Sequence, residues 1–350
     1  MSAILSDLKS SSPANSPMTW PNRQLDIGVA LLLVASFASV PAWADRGLVF
    51  LASVVLLNIV FAQAFNIVFG LSGMVSFGHA AFFAAGAYVT GSLLKRVPEL
   101  HVGLAWLASG VAGALVAAAI AGLLLRRSSG IYFAILTLAF AELLHVVISK
   151  TTFFGREDGL TGIGRPVLNL GFATIDLASG NHLYYVTLVI VVVLVALIYA
   201  LSHNRLGRQL AALRQDAERL RFLGVRVAQL RFTAFVLSGL FAGLAGGLYA
   251  PAAQLLTPDI AHWHYSALPL LYCLVGGAGY FWGPALGAIV FMGLEHSTRN
   301  ITGLSEIVIG GALLLVVLAF PGGLIGGLQR LHDLLTRTKR SPGQGAGRQP

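Results

Sequence analysis

Long apolar runs separated by short polar segments dominate the pattern of this chain. Residues 47–94 contain no Asp, Glu, Lys or Arg. A helix crosses a bilayer core with about 20 apolar residues, so this run is predicted to form two spans. The break between them is predicted at Gly70-Leu71-Ser72-Gly73. Similar runs predict further spans at residues 27–44, 100–125, 131–149, 183–201, 232–250 and 307–320.

One charge-free run does not fit a single straight helix. Residues 260–294 carry no formal charge, but Pro269, Pro284 and several glycines from Gly276 onward interrupt the run. Because proline and glycine break helices, two short helices that meet between Gly276 and Pro284 are predicted. The chain is therefore expected to be an all-α membrane protein with eight transmembrane helices plus a re-entrant broken-helix pair. Ten full spans are the alternative.

Composition and charge support a membrane protein. The chain is 56% hydrophobic and only 11% charged, with a mean hydropathy of +0.79, whereas soluble domains carry roughly 25% charged residues. Its net charge of +9 is concentrated in residues 205–231 and in the tail after residue 329. Basic segments that flank apolar spans indicate cytoplasmic loops. Both termini are therefore expected in the cytoplasm, and nucleic-acid binding is not expected.

The same patterns divide the chain into regions. Residues 1–24 are rich in Ser, Pro and Asn and are predicted to be a disordered cytoplasmic leader. Residues 25–328 form the predicted transmembrane domain, and residues 329–350 a basic cytoplasmic tail. Within the domain, residues 150–182 are predicted to form an external loop.

The basic segment from Arg205 to Arg231, called the island below, stands between two apolar spans. Its leucines recur at helical spacing, so residues 203–231 are predicted to hold an amphipathic cytoplasmic helix that ends at Gly224. An amphipathic helix of this length suggests a partner surface. No Lys follows a Gly anywhere in the chain, which excludes a Walker A phosphate loop. The chain is therefore not expected to be an enzyme.

Polar residues inside the spans are the candidates for a transport path. Ser72, Ser76 and His79 have the spacing i, i+4 and i+7, which would place them on one face of a helix. They are interpreted either as lining a path or as packing residues whose hydroxyls bond to their own backbone.

Thr137 and Glu142 lie in another predicted span, residues 131–149, and are further path candidates. A carboxylate within a span costs about 2.5–3.5 kcal/mol on insertion scales, so Glu142 needs a stabilising contact. Either His145, one turn further on, is its partner, or its closeness to Lys150 lets it reach the external interface. His262 and His264 lack accompanying carboxylates or thiols at ligand spacing, so neither a metal site nor a cofactor is predicted.

Six stretches of this sequence resemble the branched-chain amino acid ABC transporter permease family, of the LivM type. The resemblance covers about residues 48–328. The stretches are GLSGMVSFGHAAFFAAGAYVTGSLL (70–94), SGIYFAILTLAFAELL (129–144), DGLTGI (158–163), GRQLAALRQDAERLRFLGV (207–225), FVLSGLFAGLAGGLYA (235–250) and GGAGYFWGPALGA (276–288).

The resemblance implies a subunit of the bacterial inner membrane that pairs with a second permease, two cytoplasmic ATP-binding subunits and a periplasmic substrate-binding protein. Residues 150–182 would then be periplasmic, and the island would be the coupling helix that docks on the ATP-binding subunit. The coupling residues implied are Gly207, Arg208, Arg214, Asp216, Glu218, Arg221 and Gly224. Ser72, Ser76, His79, Thr137 and Glu142 would line the substrate path between the two permeases.

Two questions stay open at the level of sequence. An ion-coupled secondary transporter of small organic solutes is the alternative function, because broken helices and an intramembrane carboxylate also mark that class. The substrate of the resembling family varies among branched-chain amino acids, urea, short amides and aromatic acids, and no residue above selects one of them.

Overall fold

The computed structural model describes residues 23–97, 99–125, 130–169, 174–298, 305–320 and 322–327. Of the predicted leader, residues 1–22 lie outside the described residues, and Arg23 already begins the first helix. The predicted basic tail at 329–350 also lies outside them, as do Arg126 and Arg127.

Helices account for most of the described chain. They are α1 (Arg23–Trp43), α2 (Arg46–Asn66), α3 (His79–Arg96), α4 (Val102–Leu124), α5 (Ile131–Lys150), α6 (Gly180–His203), α7 (Arg205–Gln215), α8 (Ala217–Phe222), α9 (Val227–Ala253), α10 (Trp263–Gly276), α11 (Gly283–Thr298) and α12 (Ser305–Ala319). A π-helical turn, Ile67–Leu71, extends α2 up to the predicted break. Within the described residues, six helical stretches are long and apolar enough to cross a membrane: 26–43, 46–71, 102–124, 131–150, 180–203 and 227–253. The prediction of an all-α membrane protein is confirmed.

Short strands and turns form the connections at the ends of the helices opposite the island. In the described chain, β1 (Leu160–Thr161) pairs antiparallel with β4 (Leu255–Leu256), and β2 (Val167–Asn169) pairs antiparallel with β3 (Thr174–Asp176). Single 3-10 turns at Thr152–Phe154, Arg156–Asp158 and Pro258–Ala261 complete these connections. The β1–β4 pair joins the loop that precedes α6 to the loop that follows α9.

Small residues bring α9 into the centre of the core. A Cβ atom on Gly239 would meet the Cβ of Ala117 on α4, and one on Gly243 would lie 2.5 Å from the carbonyl oxygen of Ser109. On the other side of α9, a Cβ on Gly246 would overlap the carbonyl oxygen of Phe83 on α3. The span can approach α3 and α4 this closely because only glycine leaves room for the neighbouring backbones.

The broken run forms the helical pair α10 and α11, which pack closely through glycines. A Cβ on Gly287 would overlap the carbonyl oxygen of Tyr272. The turn between the two helices lies at the island end of the bundle. There Gln63 of α2 donates to the carbonyl of Phe281 at 2.7 Å, and the Trp282 indole donates to the Asp26 carboxylate at 3.0 Å. The pair therefore reaches the same end of the bundle as the end of α2.

Arg165, in the loop before β2, connects this loop to the end of α9. Its Nε donates to the carbonyl of Pro251 at 2.8 Å, and its Nη2 donates to that of Ala252 at 3.0 Å. These carbonyls belong to the last turn of α9, where backbone acceptors have no partner within the helix and the helix dipole favours a cation. Partial burial lowers the pKa of the Arg165 guanidinium from its ordinary value.

Arg165→Gln is expected to lower the thermal midpoint of the purified protein by roughly 2 °C, because two charge-assisted hydrogen bonds to the end of α9 are lost. Arg156→Gln is the matched control, since Arg156 is an exposed arginine of the same loop. Thermal unfolding followed by intrinsic fluorescence in detergent measures both. Equal midpoints for the two variants would show that Arg165 does not stabilise α9.

Candidate functional site

The island contains two helices rather than the single amphipathic helix predicted. The backbone at Asp216 is extended, with φ of −157° and ψ of 101°, which separates α7 from α8. The Asp216 carboxylate then accepts hydrogen bonds from the backbone N–H groups of Glu218 and Arg219, both at 3.0 Å. The sequence prediction treated Asp216 as part of one helix, and it instead acts as the N-cap that begins a second one.

Gly224 ends the island's second helix, as predicted. Its φ is +80°, a left-handed conformation in which glycine has no steric cost. The N–H of Gly224 donates to the carbonyl of Arg221, and the N–H of Val225 donates to that of Leu220, each at 3.0 Å. This pair of bonds is a Schellman motif, which satisfies the last carbonyls of the helix. The chain can therefore reverse at once into α9.

The start of the island is a tight turn between α6 and α7. Gly207 is buried, and a Cβ there would overlap the carbonyl oxygen of Ser202. The Asn204 side chain accepts from the N–H of Gly207 at 3.1 Å as the N-cap of α7. The guanidinium of Arg208 donates to the carbonyl of His203 at 3.1 Å and is otherwise exposed. Gly207 and Arg208 thus fix the angle at which the island leaves the bundle.

Arg214 points into the protein and not away from it. Its Nη1 donates to the carbonyl of Gly70, in the π-helical turn of α2, at 2.6 Å. A Cβ on Gly73 would lie 3.0 Å from Cγ of Arg214, so the arginine stem packs directly on this glycine. Among the predicted coupling residues, Arg214 therefore connects the island to the break in α2.

The sequence did not predict which apolar side chains of the island are most exposed. Phe222 is 90% exposed and Leu223 is 72% exposed, next to each other at the end of α8. Glu218 and Arg221 on the same short helix are also exposed. The sequence did contain a signal for this pair, namely two large apolar residues just before a helix-ending glycine in a basic segment. The leucine periodicity predicted only the buried side of the island.

A cavity of about 660 Å³ lies between the island and the bundle. Its walls are the chain after the π-helical turn, the end of α4, the start of α5, both island helices and the start of α9. Most lining side chains are apolar, and two are arginines. The lining residues are Ser72, Gly73, Met74, Val75, Phe77, Leu125, Gly130, Ile131, Phe133, Ala134, Leu213, Arg214, Ala217 and Arg231.

The prediction that Ser72, Ser76 and His79 share one face of a helix is wrong, because α3 begins only at His79. The segment between the π-helical turn and His79 is irregular. Within it the Ser72 hydroxyl donates back to the carbonyl of Val68 at 2.6 Å, and the Ser76 hydroxyl accepts from the N–H of Gly78 at 3.2 Å. Non-helical backbone inside a membrane layer survives only where protein or a wet cavity surrounds it. Ser72, Met74 and Ser76 of this segment are buried in protein, and the segment also borders the cavity.

His79 and Thr137 hold the irregular segment from either side. Ser238 of α9 donates to the carbonyl of Ala64 at 2.6 Å, so the imidazole Nε2 of His79, 2.8 Å from the Ser238 hydroxyl, acts as the donor in that pair. Thr137 accepts from the N–H of Phe77 at 3.1 Å. His79 and Thr137 are fully buried. The structure therefore brings four of the five predicted path residues together, of which only Ser72 lines the cavity.

Glu142 does not join that group. It lies near the opposite end of the bundle, where its carboxylate accepts from the N–H of Trp263, the first residue of α10, at 2.8 Å. Its other neighbour is His262, with 3.8 Å between Nε2 and the carboxylate. The predicted partner His145 instead uses Nδ1 to donate to the carbonyl of Pro258 at 3.0 Å. Glu142 thus lies at the positive N-terminal end of α10, and this contact explains how a carboxylate is accommodated in a predicted span.

The described residues include no group of three or more His, Cys, Asp or Glu that could hold a metal ion. Cys273 is a buried free thiol on α10. A bundle with six helices that are long and apolar enough to cross a membrane, within the described residues, defines a multi-pass membrane protein.

Comparisons with known proteins identify the class more closely. Residues 47–318 match the model of the family described as "Branched-chain amino acid transport system / permease component". The chain is 31% identical over 320 residues to the high-affinity branched-chain amino acid transport system permease protein LivM of Escherichia coli K12, which covers 84% of this chain and 74% of that protein. It is 25% identical over 304 residues to the probable LivM of Methanocaldococcus jannaschii, with 74% and 88% covered.

A second group of relatives is more distant. The permease protein LivH of Escherichia coli K12 is 22% identical over 278 residues, covering 76% of this chain and 90% of LivH. No solved structure matches the chain. The chain belongs to the branched-chain amino acid transport permease family and is a multi-pass inner-membrane permease subunit of an ABC importer.

Proposed function

We propose that the island is the surface through which a cytoplasmic ATP-binding subunit drives this permease. The observation that carries the proposal is the exposed pair Phe222 and Leu223 at the end of α8, 90% and 72% exposed. Large exposed apolar residues on a charged segment outside the apolar layer favour a partner protein over lipid or water. The caps at Asp216 and Gly224 hold this tip in one shape, which lowers the entropy cost of docking.

Movement of the tip has a short route into the bundle. The island leaves α6 at the tight turn around Gly207 and enters α9 directly after Gly224. Arg214 adds a third connection, to Gly70 in the π-helical turn. A rigid-body shift of the island would therefore act on three helices at once. On this proposal, Arg208, Glu218 and Arg221 are exposed contacts with the ATP-binding subunit, whereas Gly207, Arg214, Asp216 and Gly224 shape and connect the island.

The path proposed for the solute follows the irregular segment between Ser72 and His79. Its support is the position of Ser72 in the cavity wall, with Ser76, His79 and Thr137 buried directly behind it. Because those three side chains are hydrogen-bonded within the chain, they would meet the solute only after the segment moves. We assign Glu142 to helix stabilisation at the outer end and no longer to the path.

The proposed topology has ten spans with both termini at the island end. It is supported by the position of the turn between α10 and α11. This turn lies beside Asp26, near the start of α1, and Gln63, near the end of α2. This position favours the ten-span alternative over a re-entrant pair. The island, by its basic charge, is then cytoplasmic and residues 150–182 are periplasmic.

The partners and solute follow from the family and remain proposals for this chain. Relatives named LivM and LivH carry branched-chain amino acid transport in their names, which favours a second permease of the LivH kind and branched-chain amino acids or a related small solute. Two ATP-binding subunits and a periplasmic binding protein complete the proposed importer. No resident cofactor is proposed.

The test is reconstitution of this chain with its second permease, the ATP-binding subunits and the binding protein in liposomes. Uptake of radiolabelled leucine is expected to require ATP and to persist after an ionophore collapses the proton and sodium gradients. The alternative, an ion-coupled secondary transporter, predicts the reverse dependence. Uptake that follows the ion gradient in the absence of ATP would contradict the proposal.

A further inference from the structure

The cavity between the island and the bundle has an uneven charge distribution. Both arginines in its wall, Arg214 and Arg231, lack an acidic partner: among the described residues, the ion pairs within 4.0 Å are Lys150 with Glu157 and His262 with Glu142. The cavity therefore carries positive charge that the described chain does not neutralise.

The two guanidinium groups also have hydrogen-bonding capacity to spare. The Nε atom of Arg231 is buried and has no hydrogen-bond partner among the described residues. A guanidinium offers five N–H donors, and Arg214 uses one of its nitrogens, Nη1, on the carbonyl of Gly70. Burial lowers the pKa of Arg214 from its ordinary value, which reflects the cost of holding this cation partly out of water. An anion bound here would offset that cost.

The rest of the wall is apolar. Met74, Phe77 and Phe133 line the cavity together with Leu125 and Leu213. Ile131 at its edge is 71% exposed, so the cavity is open to the surroundings. At about 660 Å³ the cavity is large enough for a small organic molecule. A ligand that matches both parts of the wall has one anionic group and a compact apolar tail.

We propose that this cavity is a binding site for a soluble small carboxylate with an apolar tail, held by Arg231 and Arg214 through the carboxylate and by the apolar wall through the tail. The inference rests on the proposed function, because it makes the cavity a binding site at the cytoplasmic end of the proposed path. No described lining residue is acidic. The site therefore recognises the carboxylate and the tail, and it offers no charged partner to an ammonium group.

The test uses the full chain with its second permease in phosphatidylcholine nanodiscs, titrated calorimetrically with 4-methylpentanoate and with its neutral isostere 4-methylpentanamide. The carboxylate is expected to bind at least about tenfold more tightly than the amide, since a charge-assisted hydrogen bond to a guanidinium is lost in the amide. Equal affinity for the two compounds would overturn the proposal.

Variants assign the site within the chain. Arg231→Gln is expected to weaken 4-methylpentanoate binding at least about tenfold, while Arg231→Lys keeps the charge and retains most of the affinity. Arg219→Gln, an exposed arginine on α8 outside the cavity wall, is the matched control and is expected to bind like the unmodified protein. Unchanged binding by folded Arg231→Gln protein would place the carboxylate elsewhere and contradict the proposal.

An anionic lipid headgroup shares the chemistry of the ligand and is separated by a second titration in nanodiscs that contain phosphatidylglycerol. Retained affinity for 4-methylpentanoate supports a soluble ligand, whereas loss of binding at constant ionic strength assigns the cavity to lipid and overturns the proposal. These measurements need neither ATP nor the ATP-binding subunits. A failure of ATP-driven uptake would therefore contradict the proposed function while leaving this binding result unaffected.

Discussion

Replacing Phe222 and Leu223 together by serine is expected to abolish ATP-driven uptake and to weaken co-purification of the ATP-binding subunit at least about 100-fold. Burial of one large apolar side chain contributes about 1.5–3 kcal/mol, and both residues would be withdrawn from water by a partner. Both are highly exposed in the isolated chain, so the replacement removes no packing contact of the core. The measurements are pull-down of the tagged ATP-binding subunit and leucine uptake into proteoliposomes.

The control for this double variant is Val167→Ser, which removes a 48% exposed apolar residue from β2 at the opposite end of the bundle. It is expected to leave association with the ATP-binding subunit unchanged. Thermal midpoints of all variants should agree within about 1 °C, because exposed positions contribute little to folding. Full association of the subunit with the double variant would show that docking does not use this tip.

Gly246→Ala is expected to cost about 3 kcal/mol of stability or to prevent folding, although it adds a single methyl group. A Cβ at this position would overlap the carbonyl oxygen of Phe83 and lie 3.1 Å from the N–H nitrogen of Ala87. Both atoms belong to the backbone of α3, which cannot give way as a flexible side chain can, so α9 would be forced away from it. The yield of monodisperse protein in size-exclusion chromatography and its thermal midpoint measure the effect.

Gly122→Ala and Gly293→Ala provide matched controls, since a Cβ on either glycine would meet nothing within 4 Å. Both lie on helices, α4 and α11, so each change also raises helix propensity by up to about 1 kcal/mol. Their yields and midpoints are expected to equal or slightly exceed those of the unmodified protein. A Gly246→Ala protein that behaves like these controls would mean that α9 and α3 do not pack as described.

Six of the eight predicted spans coincide with described helices that are long and apolar enough to cross a membrane. They were predictable because lipid imposes a length and a composition on every crossing. The breaks at residues 70–73 and 276–284 followed from local glycine and proline, and α2 and α10 end there. The end of the island at Gly224 was equally local, since a left-handed residue after a helix requires glycine. The family resemblance, carried by six ordered stretches, was confirmed by the match over residues 47–318.

Contacts between distant segments were not predictable in the same way. The spacing of Ser72, Ser76 and His79 suggested one helical face, but bonds from Phe77 to Thr137 and from His79 to Ser238 hold the chain irregular there. For Glu142 the sequence left two alternatives, pairing with His145 or reaching the interface near Lys150, and neither predicted its contact with the start of α10. In both places the partner lies 60 or more positions away in the sequence, so local periodicity could not predict the contact.

By itself, the sequence determined the class of protein, six stretches able to cross a membrane, the basic island and the family. Each of these depends on composition and local order along the chain. Only the tertiary structure decided that the island consists of two helices, that Arg214 turns inward to Gly70, and that Phe222 and Leu223 face outward. The reason is physical: which side of a short helix is buried depends on the helices that pack against it, and those neighbours come from other parts of the chain.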